Sequence, residues 1–367
     1  MRVLITATSL RPAYGGPAFS VSQLAAALAA RGVTTGLWSA DGSAVDTDLI
    51  PPSASVERLG WSLTEAADVF APDVIHDNGL WLPHNHRVAT LARAIGVPRV
   101  VSTRGMLEPW AIRHKGLKKK LAWELYQRRD LERACALHTT ADAEAQNLVA
   151  FGLGVPITTI PNGIDLPALA AAPPARAEET RMALFLGRLY PVKGLPMLIE
   201  AWSQVRPPGW RLVIAGPDEA GHQAVLEAAA AKGGLSDFVH FTGPVEGEAK
   251  AAQLRDADLL VLPSHSESFG MVVAEALAHG TPVLTTTAVP WPVLEQRGCG
   301  WRCAPTPDAL AEALRQAVDH DTATLRAMGL VGRSVVAETL GWDNVAAQFI
   351  ALYERLARVA APNEAAA

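Results

Sequence analysis

The chain has 367 residues, 49% of them hydrophobic and 19% charged, with a formal net charge of −5. That length exceeds one ordinary core and fits two domains of about 170 residues each, and the negative balance excludes a globally basic nucleic-acid binder. No apolar run reaches the roughly 18–20 residues of a membrane-spanning helix, and Met1-Arg2 leads straight into a strand, so neither a span nor a secretory leader is expected and the cytoplasm is the default compartment.

In chain order, Val3-Leu4-Ile5-Thr6-Ala7 is a continuous apolar strand, followed by a turn containing Gly15-Gly16 and a helix over about 18–30 closed by Gly32. Apolar strand candidates recur at 36–39, 74–76 and 99–102, with helical stretches between them. An Ala/Pro/Glu-rich stretch at 167–180 reads as a linker, after which the rhythm restarts. Strands are predicted at 183–186, 211–215, 239–242, 259–262 and 283–285. Helices are predicted near 195–203, 220–232, 246–255 and 271–279, with more between 307 and 338. The last helix, about 342–359, carries Val345, Phe349, Leu352, Tyr353 and Leu356 at helical spacing, and residues 360–367 read as a disordered tail. Alternation of this kind gives an α/β protein of two doubly wound parallel sheets, in which ligands sit at the carboxyl ends of strands.

The motifs fall just after the predicted strands. The segment 263–284 places Glu267 in a small-residue loop and Glu275 in the helix that the loop opens. Ser268, Phe269 and Gly270 form the helix start, where open N–H groups favour a phosphate. Arg188 and Lys193, set in Gly187-Arg188-x4-Lys193-Gly194, follow the first strand of the second half and can stabilise charge developing on a leaving diphosphate. Gly15 and Gly16 let a backbone approach a ligand or simply form a βα turn; no Gly-Lys-Ser/Thr follows, and no Gly-x-Gly-x-x-Gly is spelled out. His138 is either a cleft residue or a buried structural histidine. The pair His84 and His86, near Trp81, either lines an acceptor mouth or is merely exposed. Asp258, in Asp256-Ala257-Asp258, precedes a buried strand and reads as structural rather than metal-binding. Cys135, Cys299 and Cys303 imply no disulfide framework. No metal site is assigned.

Four motifs in order carry a resemblance: Gly15-Gly16-Pro17; Ile160-Pro161-Asn162-Gly163-Ile164-Asp165; Leu186-Gly187-Arg188 with Lys193-Gly194; and Glu267-x7-Glu275 flanked by Pro263-Ser264 and Gly280-Thr281-Pro282-Val283. Together they resemble glycosyltransferase family 4, whose members are retaining transferases with the two-domain GT-B fold. The resemblance implies two Rossmann-like domains facing a cleft. An acceptor-binding domain would span 1–166, with the helix at 342–359 packing back on it, and a donor-binding domain 181–341. It implies Glu267, Arg188 and Lys193 as the catalytic group, and Gly15, Gly16, Asn162, Ser268, Phe269, Gly270 and Glu275 as donor-binding residues, Glu275 on the ribose. Arg104, His138 and Trp81 become possible sugar or acceptor contacts. At about Arg104 many members carry a histidine that touches the donor sugar, so Arg104 is a departure, read as a sugar or phosphate contact.

The activity so implied is transfer of a sugar from a nucleotide diphosphate donor, GDP- or UDP-linked, to a hydroxyl of a lipid-linked or growing glycan, with no cofactor or metal required. Rival readings are a GT-B epimerase or phosphorylase, a nicotinamide oxidoreductase whose fingerprint is missing here, and a non-enzymatic sugar-nucleotide binder. Arg113, Lys115, Lys118, Lys119 and Lys120 lie near Trp110, Leu117, Leu121, Trp123, Leu125 and Tyr126. This mixture suits an anionic membrane surface, or else is a solvated helix with a buried aromatic side; a nucleic-acid patch fits less well. The stretch 104–110 with this Lys-rich helix resembles bacterial surface-polysaccharide members, which implies work at the inner face of the cell membrane.

Overall fold

The computed structural model describes residues 1–60, 62–108, 111–112, 116–168, 180–219 and 221–360. The 167–180 stretch lies almost entirely outside these residues, as do Arg113, Lys115 and the tail after residue 360.

The chain divides into two compact units, one of residues 1–163 with the helix Trp342–Ala360, the other of residues 164–341. The first contains a seven-stranded sheet in the order β3-β2-β1-β4-β5-β6-β7. Its strands are β1 (Arg2–Ala7), β2 (Thr34–Ser39), β3 (Val56–Leu59), β4 (Val74–Asn78), β5 (Arg99–Ser102), β6 (Ala136–Thr139) and β7 (Ile157–Thr159). Every pairing is parallel, with Leu4 opposite Gly36 on one side and Ile75 on the other. The second unit contains a six-stranded parallel sheet, β10-β9-β8-β11-β12-β13, from β8 (Arg181–Leu186), β9 (Trp210–Ala215), β10 (Val239–Gly243), β11 (Leu259–Leu262), β12 (Val283–Thr286) and β13 (Gly300–Cys303).

Helices cover both faces of such sheets, so central strands can be apolar throughout. Val3, Leu4 and Ile5 of β1 and Leu259, Leu260 and Val261 of β11 have no solvent exposure. Each buried side chain of this size contributes roughly 1.5–3 kcal/mol relative to exposure. Each sheet also reverses its strand order once, between β1 and β4 in the first unit and between β8 and β11 in the second, and there the loops part to leave a crevice.

Among the strands without a predicted range, β3, β7 and β13 lie at sheet edges. Their sequences, Val-Glu-Arg-Leu, Ile-Thr-Thr and Gly-Trp-Arg-Cys, lack an apolar run because an edge strand is covered on fewer sides. The helical stretch from 307 divides into Pro307–Asp319 and Thr322–Leu340, where the Asp321 carboxylate accepts from Thr324 N at 2.7 Å and starts a second helix. The returning helix Trp342–Ala360 buries Val345, Ala346, Phe349, Leu352 and Tyr353 against Val3, Ile5, Leu24 and Leu28 of the first unit. Its first residue constrains Gly163, where a Cβ would stand 2.3 Å from the Trp342 ring.

Candidate active-site residues

The loop after β11 is fixed from several sides. Thr285 and Thr286 of the neighbouring strand donate to the carbonyls of Leu262 (2.8 Å) and Ser264 (2.5 Å). His265 N donates to Val192 O at 2.8 Å, and Trp291 Nε1 to Phe269 O at 2.6 Å, with the Phe269 and Trp291 rings 5.4 Å apart. Gly194 sits so close that a Cβ would lie 2.1 Å from Pro263 O, and its φ is +68°. Gly270, at φ +80°, then opens the helix Met271–Ala278 without a side-chain cap. The loop therefore places Glu267 before the helix and Glu275 just over one turn inside it.

Both carboxylates are held by lysines. Glu267 Oε1 accepts from Lys193 Nζ at 2.5 Å and from Ser264 Oγ at 2.8 Å, with the Lys193 and Glu267 side chains only 18% and 13% exposed. Glu275 Oε1 lies 2.7 Å from Lys250 Nζ. In each case the other carboxylate oxygen has no hydrogen-bond partner among the described residues. Arg188 turns elsewhere, to Glu219 Oε2 at 2.8 Å, in a more exposed pair beside β9. Sequence reasoning missed Lys250 and Glu219: neither lies in a motif, and each is recognisable only once the chain places it against its partner. Asp258 accepts from Met182 N at 2.8 Å while its own N–H donates to Met182 O, which ties the start of β11 to β8.

In the first unit the crevice end of the sheet carries Arg104, with a left-handed φ of +51°. Glu144 shapes that turn, accepting from Thr103 Oγ1 and from Gly105 N, each at 2.6 Å, and from Thr140 N at 2.9 Å. The Arg104 guanidinium reaches three neutral oxygens. Nε and Nη2 donate to Asn78 Oδ1 (3.2 and 2.7 Å), and Nη1 donates to Ser20 Oγ (3.1 Å) and Asn162 Oδ1 (2.9 Å). Asn162 thus meets Arg104 within this unit. Gly15 has φ +80° and caps the helix Gly16–Ala30. Of the amides before Phe19, that of Gly15 donates to Pro12 O and that of Ala18 to Gly15 O, and Pro17 has none, which leaves the Gly16 N–H.

Beneath Arg104 runs a fully buried hydrogen-bond chain: Tyr353 Oη to His76 Nδ1, His76 Nε2 to Ser102 Oγ, and Ser102 Oγ to His138 Nδ1, each 2.6 Å, then His138 Nε2 to Ile160 O at 2.8 Å. A carbonyl can only accept, so His138 carries its proton on Nε2, and Ser102 must donate to Nδ1. It follows that His76 donates from Nε2 to Ser102 and accepts from Tyr353. Both imidazoles are neutral. Burial, with the Arg104 charge as a further cause, holds His138 down at about 3; burial followed by its neighbours keeps His76 well below its ordinary value. His138 is therefore a core histidine that fixes the carbonyl two residues before Asn162.

Trp81 spends its indole N–H on Met106 O at 3.2 Å and packs beside Trp123, while Lys119 reaches over its ring to donate to Ala111 O at 2.6 Å. Lys119 thereby turns inward, unlike exposed Lys118 and Lys120. On the same element, the helix Gly116–Ala122 and the π-turn Trp123–Gln127, Leu117, Leu121 and Leu125 are 88%, 62% and 63% exposed. Trp123 instead packs on Phe151. His84 and His86 take separate partners, Thr8 Oγ1 at 3.1 Å and Asp130 Oδ2 at 2.7 Å.

Two parallel-sheet α/β units with these strand orders are those of the GT-B fold. The family pattern for glycosyl transferases group 1 matches residues 170–333, and that for the glycosyl transferase 4-like domain matches residues 15–163. The chain is 33% identical to the glycogen synthase of Mycobacterium tuberculosis over 296 residues, 77% of this chain and 68% of that protein. It is 34% identical over 187 residues, 48% of the chain, to the D-inositol 3-phosphate glycosyltransferase of Streptomyces coelicolor, of whose length it spans 40%. In fold it is similar to sucrose-phosphate synthase of Thermosynechococcus elongatus, with a TM-score of 0.82 over 98% of this chain and 100% of that one at 23% identity. HepE of Anabaena, solved in complex with UDP-glucose, gives a TM-score of 0.75 over 97% of this chain and 100% of that one at 20% identity. The chain belongs to glycosyltransferase family 4.

Proposed function

We propose that the chain is a retaining glycosyltransferase that moves a sugar from a nucleoside diphosphate donor to a hydroxyl of a lipid-linked or growing glycan in polysaccharide synthesis. The observation that carries this reading is the Lys193–Glu267–Ser264 cluster at the strand-order reversal of the C-terminal sheet, with Lys250–Glu275 on the helix that follows. The UDP-glucose bound by HepE supports a sugar nucleotide as the donor. Residues 181–341 would take the donor and residues 1–166 the acceptor.

In the proposed reaction the bond between the anomeric carbon and the β-phosphate oxygen breaks, while a bond from the acceptor oxygen forms on the same face. The acceptor proton passes to the departing β-phosphate. Lys193, Arg188 on exchanging Glu219 for the phosphate, and the open amides at the start of Met271–Ala278 stabilise the charge gathering on that phosphate. Glu267 offers Oε2 to the positive sugar ring, and Glu275 offers Oε2 to the ribose hydroxyls. These groups supply the charge without a bound metal, and no separate protein base is needed.

Leu117, Leu121 and Leu125 lie exposed beside Lys118 and Lys120, an arrangement suited to the headgroup layer of an anionic membrane at the inner face of the cell membrane. The donor reading is tested by melting the protein with UDP-, GDP-, ADP- and dTDP-sugars, with and without EDTA. A ligand at 100 times its dissociation constant stabilises by about 2.7 kcal/mol. The expected result is a shift with one sugar nucleotide that EDTA leaves intact; no shift with any of them overturns the reading.

A further inference from the structure

Trp81 stands in the loop 79–82 between β4 and the helix Pro83–Ala94, at the strand-order reversal of the N-terminal sheet. Its φ is +74°, a left-handed conformation that a bulky residue adopts only where its neighbours enforce it. The enforcers are two consecutive side chains of one distant element. Gln127 Oε1 accepts from Trp81 N at 2.7 Å, and Tyr126 Oη donates to Trp81 O at 2.6 Å. Both main-chain groups of the strained residue are thereby bound by the π-turn Trp123–Gln127, a widened helical turn of the kind that recurs at functional sites. Gln127 is buried, and the Trp123 ring lies 6.1 Å from that of Trp81. The solvent side of the same element is apolar and cationic together. Leu117, Leu121 and Leu125 recur every four residues and are exposed, as are Lys118, Lys120 and Arg129, and Glu124 is the one acid between 116 and 129. Such a face complements an anionic lipid surface.

We propose that Gln127 and Tyr126 are positioning residues that couple this face to the crevice, so that docking of residues 116–127 on an anionic lipid surface orders the loop 79–82. This rests on the membrane reading above and adds what the contact does to the crevice. The linkage is reciprocal: a surface that holds the segment favours the strained Trp81, and a relaxed Trp81 loosens the segment. The loop opens the helix that carries His84, whose Nε2 meets Thr8 Oγ1 at 3.1 Å just past β1, so its order reaches both strands at the reversal.

The experiment is hydrogen–deuterium exchange of the full chain, alone and with vesicles of equal parts phosphatidylglycerol and phosphatidylcholine. Vesicles are expected to slow exchange in 116–127 and also at the amides of 79–82, there by at least about fivefold, the lower end of ordinary coupling between sites. In Gln127→Leu and in Tyr126→Phe, vesicles are expected to protect 116–127 as in the parent while the loop no longer responds. Tyr126→Phe keeps the ring that lies 5.0 Å from the His86 ring and so guards against misfolding. Loop protection that persists in the folded variants reports direct lipid contact and overturns the coupling. Protection of 116–127 alone in the parent overturns the coupling and leaves the membrane reading standing, whereas protection of neither segment overturns both. Protection of 116–127 that follows protein concentration instead of vesicles makes the occupant a second copy of the chain and overturns the lipid.

Discussion

At the candidate site of the C-terminal unit three cations stand against three carboxylates, Arg188 on Glu219, Lys193 on Glu267 and Lys250 on Glu275. The corresponding end of the N-terminal sheet carries Arg104 among amide and hydroxyl oxygens, above two histidines that burial keeps neutral. A cation paired in a partly wet site is cheap to hold, and an incoming diphosphate needs only to exchange one anionic partner for another. A half-buried cation with no carboxylate beside it lacks that partner, and the surrounding amides and hydroxyls hold it in place. The C-terminal unit thus holds its cations against anionic partners, and the N-terminal unit holds Arg104 among neutral ones.

The comparison breaks first if the paired carboxylates are idle. Glu267→Ala is expected to lower donor turnover by about 100- to 1,000-fold, the effect of deleting one preorganised electrostatic group. Steady-state release of nucleoside diphosphate checks this, and turnover near that of the parent removes Glu267 from the chemistry. Next in size is Gly194→Ala, which forces a Cβ onto Pro263 O and a side chain into a positive φ. A loss of about 2–4 kcal/mol is expected in urea unfolding; a neutral result means that the loop is not clamped there.

In the other unit, Tyr353→Phe removes the donor to His76 Nδ1 and leaves a buried acceptor unsatisfied. The expected cost is about 1–3 kcal/mol in the same assay. The neutral histidines also set a pH dependence. Below pH 6.5 the unfolded histidines take up protons that the folded ones refuse, so stability present above pH 6.5 is lost as pH falls toward about 3, where His138 titrates. Asp77 opposes them between about 3.8 and 6, because burial raises its carboxyl to about 6 despite Arg99 3.1 Å away. The two neutral histidines outweigh the one raised carboxyl in that window, so stability still falls as pH falls. Urea midpoints across pH 4 to 7 measure it, and a flat profile contradicts the neutral chain. The smallest effect belongs to the surface: Lys118→Ala and Lys120→Ala are each expected to weaken binding to anionic liposomes by about 1 kcal/mol, and co-sedimentation equal to the parent rejects the membrane face.

Much of this organisation is written locally. Central strands such as Leu259–Leu262 are continuous apolar runs, and glycines at 187, 194 and 270 mark the turns that follow them. Edge strands such as Ile157–Thr159 carry no such signal, because half-covered backbone does not demand apolar side chains. The motif residues Glu267 and Lys193 were legible, but their direct bond was not, since it joins positions 74 apart. Lys250, Glu144 and Tyr353 are ordinary helix residues in sequence. They acquire meaning only from what the fold brings to them, and Tyr353 meets His76 across 277 positions. The Lys-rich segment read equally well as membrane face or solvated helix; only the packing of half-buried Trp123 on Phe151 and the exposure of Leu117, Leu121 and Leu125 separate its two sides.

The most direct test of the account is release of nucleoside diphosphate from the sugar nucleotide that stabilises the chain, with lipid-linked and soluble oligosaccharides supplied as acceptors. The account predicts acceptor-dependent release by the parent, product of retained anomeric configuration, and loss of both in Glu267→Ala. A sugar nucleotide that binds tightly yet is never consumed with any acceptor would contradict it, and would make the chain a binding protein built on a transferase fold.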